Sequence, residues 1–422
     1  MFGPLRAKQA GELRKVLSKH AEARTSRRPS GPVVTTVSKS NQGSKFFSKQ
    51  EPHSRIKSQI VAKYVPAWAH IILKSWTQVL YLDLFAGPGQ FNDGSRSTPL
   101  LLLPELIASS KLRAGVSTWF SDTDATAIDH LKSNVEALAG VEQLTFPPVI
   151  QVQHVDDEVT REFEDNRMIP TFAFLDPFGY TGLTAKLVRS IVKDPGSECL
   201  FFFNYNRVNP AISNPKVVTR MAAIFGDRRS RSLRERLNSA PVDKREEYIL
   251  DALREAMAQE SGGRLVMPFR FVDGGRTTHH LVFVTKQFLG FKIMREIMAP
   301  YSSSETEGVP SFEFVEHADA QTRLDLSPRT PLTDLCNALR VAYQGKTIFF
   351  RTLFEEHSAN RLYVERNYYE ALSRLEQAGV VRIHHRAEPQ TTCANAQLAL
   401  FAATAEDAGL QKPIPGDASI EF

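Results

Sequence analysis

Cysteine is scarce in this chain. Three occur in 422 residues, Cys199, Cys336 and Cys393, and they stand far apart. None belongs to a C-x-x-C pair or lies near a set of histidines, which excludes a zinc-finger arrangement and a disulfide framework. They read as buried thiols in a reducing compartment, so a cytoplasmic location is expected. No apolar run approaches the ~20 residues that a membrane span needs. His279 and His280 enter a strand side by side, so their side chains face opposite ways and do not easily share a metal. No metal site is expected. What the chain does have is length and an ordinary apolar fraction, 42%. That is enough for two or three domains with real cores.

Charge is nearly balanced, 52 Lys and Arg against 47 Asp and Glu, but unevenly placed. Residues 1–50 hold eleven basic side chains against Glu12 and Glu22, a net +9, so the remainder carries −4. Over 1–45 this reads as a basic, disordered arm. Leu5–Ala23 fits an amphipathic helix and Pro29–Ser44 a Ser/Gly/Pro-rich linker. Such an arm either binds nucleic acid by releasing counterions or is a solvated tail. A targeting presequence fits the composition, but Glu12 and Glu22 count against it.

The strongest local signal is Val79–Gly89, VLYLDLFAGPG. A strand-forming run ends in Asp83, passes Phe85 and enters a turn at Gly87 and Gly89. A Cβ at either glycine would intrude on whatever the loop carries, and glycine supplies the turn's backbone angles. The string D-x-x-x-G-x-G after a buried strand resembles the cofactor loop of class I S-adenosylmethionine (SAM) methyltransferases. That likeness implies Asp83 against the methionine ammonium. A dinucleotide loop, G-x-G-x-x-G, fails because its sixth position is Asn92 and Pro88 stiffens the turn.

Further strands follow at the spacing of a doubly wound sheet. Val116–Phe120 ends in Ser121-Asp122-Thr123-Asp124. Asp122 is the candidate to accept both ribose hydroxyls, with Asp124 the N-cap of the next helix; otherwise both acids merely cap Ala125–Leu138. A third run, Val149–Val155, ends in Asp156-Asp157. Either one of these, with Asp156 the candidate, reaches the adenine amino group, or the pair sits on a surface turn. Both readings stand.

The fourth run, Thr171–Leu175, leads into Asp176-Pro177-Phe178-Gly179. Enzymes that methylate exocyclic amino groups of bases often carry D/N-P-P-Y/F at this place, and DPFG is similar to a form in tRNA guanine dimethyltransferases. The likeness implies Asp176, Pro177 and Phe178 as catalytic candidates. The acid would accept from the amino group and keep its lone pair aimed at the methyl. The aromatic ring would stack on a base held out of its helix. Otherwise, Pro177 and Gly179 make a turn and Phe178 is core. The fifth run, Phe201-Phe202-Phe203, ends in Asn204, Asn206 and Arg207, candidates to line a base pocket or to cap a helix.

Elsewhere, Arg55–Trp76 reads as a lead-in helix and Glu247–Gln259 as another. Leu265–Val272 and His280–Lys286 read as a closing antiparallel pair around Asp273-Gly274-Gly275. Val208–Arg234 gives no clean pattern but holds Arg228-Arg229-Ser230-Arg231. From Thr330 three helical segments (Asp334–Tyr343, Phe350–His357, Arg366–Gly379) precede a strand, Val380–His384. This is a winged-helix pattern, with Arg366 a candidate for nucleic-acid contact; such modules also dock proteins, and Glu365, Glu370 and Glu376 dilute the charge. Pro389–Phe422 reads as a strand, Gln397–Phe401, and a loose acidic tail. The fold class is α/β, a Rossmann-like doubly wound sheet with closing antiparallel strands over 46–325, then a winged-helix module over 326–390 and the tail over 391–422.

In this order the motifs resemble one family, the three-Cys-motif partner proteins (TcmP). The matching pieces include PHSRIKSQIVAKYVPAW (Pro52–Trp68), YLDLFAGPGQFNDGSRSTPL (Tyr81–Leu100), FAFLDPFGYTGL (Phe172–Leu183), FFFNYNR (Phe201–Arg207), LVFVTKQFLGFKIMREIM (Leu281–Met298) and GKTIFFRTLFEEH (Gly345–His357). Where the family has a second His after the lysine, Ser58 stands here, so only His53 and Lys57 carry over. The resemblance implies a methyltransferase-like domain using SAM, a winged helix, and a cysteine-rich, radical-SAM-like partner protein. It supplies no substrate. Two functions are carried forward: N-methylation of a nucleobase amino group in RNA or DNA, and a non-catalytic nucleic-acid adaptor for that partner.

Overall fold

The computed structural model describes residues 50–179, 181–258, 265–316, 330–359, 361–384 and 414–422. The arm expected over 1–45 and the strand expected at Gln397–Phe401 lie outside them. The chain divides into two compact units, Met1–Tyr301 with Phe314–Thr322, and Ser302–Glu313 with Arg323–Phe422. Among the described residues, no helix is long and apolar enough to cross a membrane.

Five parallel strands build the first unit: β1 (Val79–Asp83), β2 (Val116–Asp122), β3 (Val149–Val152), β4 (Thr171–Leu175) and β5 (Glu198–Phe203). Two antiparallel strands, β6 (Leu265–Asp273) and β7 (Arg276–Thr285), complete the order β6-β7-β5-β4-β1-β2-β3, with the short strand Glu313–Val315 outside β6. The result is a mixed α/β, mostly parallel, Rossmann-like sheet. β1 lies between β2 and β4, so the winding reverses there and leaves a crevice at the carboxyl ends. Register brings those ends level: Asp83 pairs with Phe120 on one side and Phe174 on the other.

Every residue of β1, β4 and β5 is buried, as continuous apolar runs covered on both faces must be. On one face Phe172 stacks with Tyr81 and meets Tyr64 and Trp68 of the lead-in helix. On the other, Leu82, Ala173, Leu175 and Phe201 pack against Leu187, Val188 and Ile191 of the helix Ala185–Val192. The lead-in helix runs Pro52–Ile72 rather than to Trp76. Its start is set by Pro52, placed where no N–H is needed.

The stretch without a clean pattern is helical. Helices Tyr205–Ala211, Val218–Phe225, Asp227–Asn238 and Arg245–Ala258 fill the path from β5 to β6. The first three are short and broken by Pro215 and by Gly226 at φ 85°, which erases a long periodic signal. The β6–β7 turn is tighter than expected, because Gly274 and Gly275 both take positive φ, as a two-residue hairpin demands. His279 and His280 do face opposite ways along β7: His279 stacks on Phe202, and His280 meets Glu246 at 3.1 Å.

In the second unit, helices Pro331–Tyr343, Phe350–Ser358 and Glu365–Gln377 accompany a three-stranded antiparallel sheet, Thr347–Phe349, Ser419–Glu421 and Arg382–His384 in that order. One expectation is corrected here. The end of the chain is not a loose tail: Ser419–Glu421 is the central strand, with Ile420 fully buried. Ser302–Glu313 also groups with this unit. Its hairpin is held by Gly308, whose carbonyl accepts from the Asn367 side chain at 2.7 Å. Cys199 is buried and Cys336 half-buried, both as free thiols; Cys393 lies outside the described residues.

Candidate active site at the carboxyl edge of the sheet

The loop after β1 is fastened to β2. The Ala86 N–H donates to the Ser121 carbonyl, and the Gly87 N–H donates to Asp122 Oδ2 at 2.9 Å. The other Asp122 oxygen accepts from the Asp124 N–H at 3.0 Å. Asp124 caps the helix Ala125–Glu136, accepting from Thr126 and Ala127, as expected. Asn134 of that helix donates to the Pro88 carbonyl and closes the loop's far side. Gly87 and Gly89 take φ of 62° and 82°, which glycine alone adopts cheaply. At Gly89 the reason for lacking a Cβ is corrected: one would meet Leu131 Cδ1 at 2.8 Å and Leu100 at 3.3 Å, so it protects the helix packing beneath the loop.

Asp83 is buried under this loop. Its Oδ1 accepts from the Phe85 N–H and its Oδ2 from the Tyr81 hydroxyl. Burial pushes its carboxyl up to about 8, and the nearby charges of Asp176 and Asp122 act in the same sense. The Phe85 ring lies against Gly182, 3.1 Å from where a Cβ there would stand, so the glycine loop touches the turn that follows β4.

That turn carries Asp176, Pro177 and Phe178. Asp176 Oδ2 accepts from the Lys57 ammonium at 2.6 Å, with side-chain exposures of 25% and 5%. The ammonium also sits 3.6 Å from the centre of the Phe202 ring. Burial pulls Lys57 below its ordinary value, while the Asp176 charge acts the other way. Pro177 is buried, but Phe178 is 67% exposed, so it is not core. The Arg207 guanidinium stands 5.2 Å from the centre of its ring.

Sequence reasoning carried His53 and Lys57 only as family likenesses and placed neither in the site. Their i, i+4 spacing on the lead-in helix was the available signal, since it sets both on one face. His53 stacks on Phe202 and on His279, and its Nδ1 lies 3.4 Å from Glu316 Oε2. Burial and then the Lys57 charge lower the His53 value, and burial takes His279 down to about 3. Both imidazoles are therefore neutral at pH 7. Glu316 left no signal in the sequence.

The remaining candidates are dispersed. One oxygen of Asp156 caps the helix Asp157–Asp165, accepting from Glu158 and Val159. Asn204 caps Tyr205–Ala211 by accepting from the Arg207 N–H, and Asn206 and Arg207 are exposed. Arg366 belongs to the second unit, where it pairs with Glu305 at 2.6 Å. No group of three or more metal-ligating side chains occurs among the described residues.

No protein-family model matches the chain, and no curated protein does. Solved structures overlap it loosely. A Legionella pneumophila protein is 11% identical with a TM-score of 0.35, covering 58% of this chain and 89% of that one. The DszA carbon methyltransferase is 14% identical at TM-score 0.34, and the overlap spans 57% of this chain and 56% of that chain. The plantazolicin methyltransferase BamL, solved with SAH, is 11% identical at TM-score 0.32, with 66% and 100% covered. Overlaps this loose decide neither activity nor substrate.

The arrangement suits a cationic ligand that carries hydroxyls. Asp83 offers a buried carboxyl crowded by two other acids. Asp122, though bonded to two backbone N–H groups, keeps lone pairs for further donors. Asp176 Oδ1 makes no hydrogen bond among the described residues.

Proposed function

We propose that the chain is a SAM-dependent methyltransferase that N-methylates a nucleobase amino group in RNA or DNA, together with a three-Cys-motif partner protein. The observation that carries this reading is the exposed Phe178 ring beside Asp176 in the turn after β4, a turn whose Gly182 lies against Phe85 of the glycine loop. A turn serving only the core would bury that ring.

In this reading Asp83, Phe85, Gly87, Gly89 and Asp122 hold the cofactor, with Asp156 at its adenine end. The fit rests on the crowded, buried Asp83 carboxyl, which a methionine ammonium would relieve. SAM, when bound, supplies a methyl on a sulfonium. The chain's own residues do the positioning. Lys57 fixes the Asp176 carboxylate through Oδ2, leaving Oδ1 to accept from the amino group. That hydrogen bond orients the nitrogen lone pair. Phe178 offers a face on which a base stacks, bounded by Arg207. Asn204 sets the helix that presents Asn206 and Arg207.

The second unit is read as a winged helix, on three helices and a three-stranded antiparallel sheet. Arg366 and Arg374 are already paired with Glu305, Glu307 and Glu370, which favours protein docking over phosphate contact and suits the partner. A non-catalytic adaptor is the alternative, favoured by the engagement of Asp176 with Lys57. Transfer of labelled methyl from SAM to total RNA and total DNA, with and without the partner, separates the two. We expect Asp176→Ala to lose ~10²-fold in rate with little change in SAM affinity. A folded Asp176→Ala protein at full activity would end the amino-methyltransferase assignment.

A further inference from the structure

We infer that the helical segment after β5 is a phosphate-binding track that leads a nucleic-acid strand to Phe178. The inference rests on the nucleic-acid reading above and identifies the surface that would serve it. Residues 205–236 hold eight basic side chains against two acids, Asp227 and Glu235. All the sequence beyond residue 50 carries a net −4, so basic charge is concentrated here against an acidic background.

Packing accounts for only part of that charge. Arg229 pairs with Glu255, Arg234 donates to the Ile212 carbonyl at 2.9 Å, and Arg236 lies over Tyr248. Lys216, Arg220, Arg228 and Arg231 are exposed and form no ion pair among the described residues. Their helices bury the opposite sides: Met221, Ile224 and Phe225 in one, Ser230, Leu233 and Leu237 in the other. Arg228 and Arg231, three apart, share the outward face.

The track is joined to the site. Arg234 ties the helix Asp227–Asn238 to Ile212, at the end of Tyr205–Ala211, and Arg207 near the start of that helix stands 5.2 Å from the Phe178 ring centre. Charge spread over successive helices, rather than gathered in a pocket, suits an extended polyanion. A nucleic-acid backbone is such a ligand, and its affinity is salt-dependent because bound counterions are released.

The test uses the full chain without SAM. Fluorescence anisotropy follows binding of labelled single-stranded RNA and DNA of about 20 nucleotides, and of their duplexes, as salt is raised. Arg220→Glu, Arg228→Glu and Arg231→Glu are combined, with thermal melting to check folding. A control combines Lys111→Glu, Lys132→Glu and Arg167→Glu, which changes net charge equally. Each phosphate contact contributes roughly 0.7–0.9 to the slope of log affinity against log salt. The triple variant is therefore expected to lower that slope by about two, the control to leave it near wild type. A folded triple variant with the wild-type slope, an equal effect of the control, or no binding of any probe by wild type would each overturn the track. So would loss of partner-protein binding alone, which would reassign the surface to an acidic protein. Failed methyl transfer with the track intact would instead count against the catalytic reading alone.

Discussion

Asp83 shows how one residue reports on the site. It is buried, and its carboxyl is pushed from 3.8 up to about 8, first by burial and then by the charges of Asp176 and Asp122. At pH 7 the folded protein therefore holds a proton there that the unfolded chain has released. The native state binds more protons between pH 4 and 8, so the stability Asp83 contributes is fully present below 3.8 and lost as pH rises through about 8. We expect the urea midpoint to fall between pH 5 and pH 8 more steeply in wild type than in Asp83→Asn. A cation bound against Asp83 favours the charged form, so binding SAM at pH 7 should release close to one proton. Calorimetry in buffers of differing ionisation heat measures that number, and a value of zero in wild type would remove Asp83 from contact with the ammonium.

At the scale of elements, neighbouring acids serve different purposes. Asp122 holds the glycine loop through Gly87, whereas Asp124 caps the helix Ala125–Glu136 through two N–H groups. Asp124→Ala should thus cost ~1 kcal/mol of stability without changing SAM affinity, as chemical denaturation and calorimetry on one variant would show. A large loss of affinity would mean the cap also touches ligand. Such features were legible in advance because each has a local cause: a strand ending in an acid, a turn needing positive φ, an N-cap ahead of an apolar period. The cluster at the carboxyl edge was only half legible. His53 and Lys57 announce a shared helix face, but Phe202 and His279 join them through sheet pairing, and Glu316 arrives from residues far along the chain. Short helices broken by Pro215 and Gly226 hid the helical setting of the basic cluster around Arg228, and three-residue strands such as Thr347–Phe349 carry too little pattern to read.

At the scale of the whole molecule, two units with separate cores share one chain that crosses between them more than once. The second unit depends on residues 414–422. Ser419–Glu421 pairs with Thr347–Phe349 on one side and Arg382–His384 on the other, and neither outer strand has another partner in that sheet. Ile420 and Ala418 are fully buried, and the Phe422 ring lies 5.5 Å from Tyr343. Removing residues 414–422 therefore takes away the ladder bonds of both remaining strands and the contacts with Phe350, Arg351 and Tyr343. Two strands left without a centre are not stable by themselves. The first unit has its own core on both faces of the large sheet. We expect calorimetry of the truncated chain to show the transition of the second unit abolished or moved far down, with that of the first retained along with any SAM binding. If both transitions persisted unchanged, the terminal strand would be dispensable. If both vanished, the two cores would be one cooperative structure and the division at Tyr301 would not describe how the chain folds.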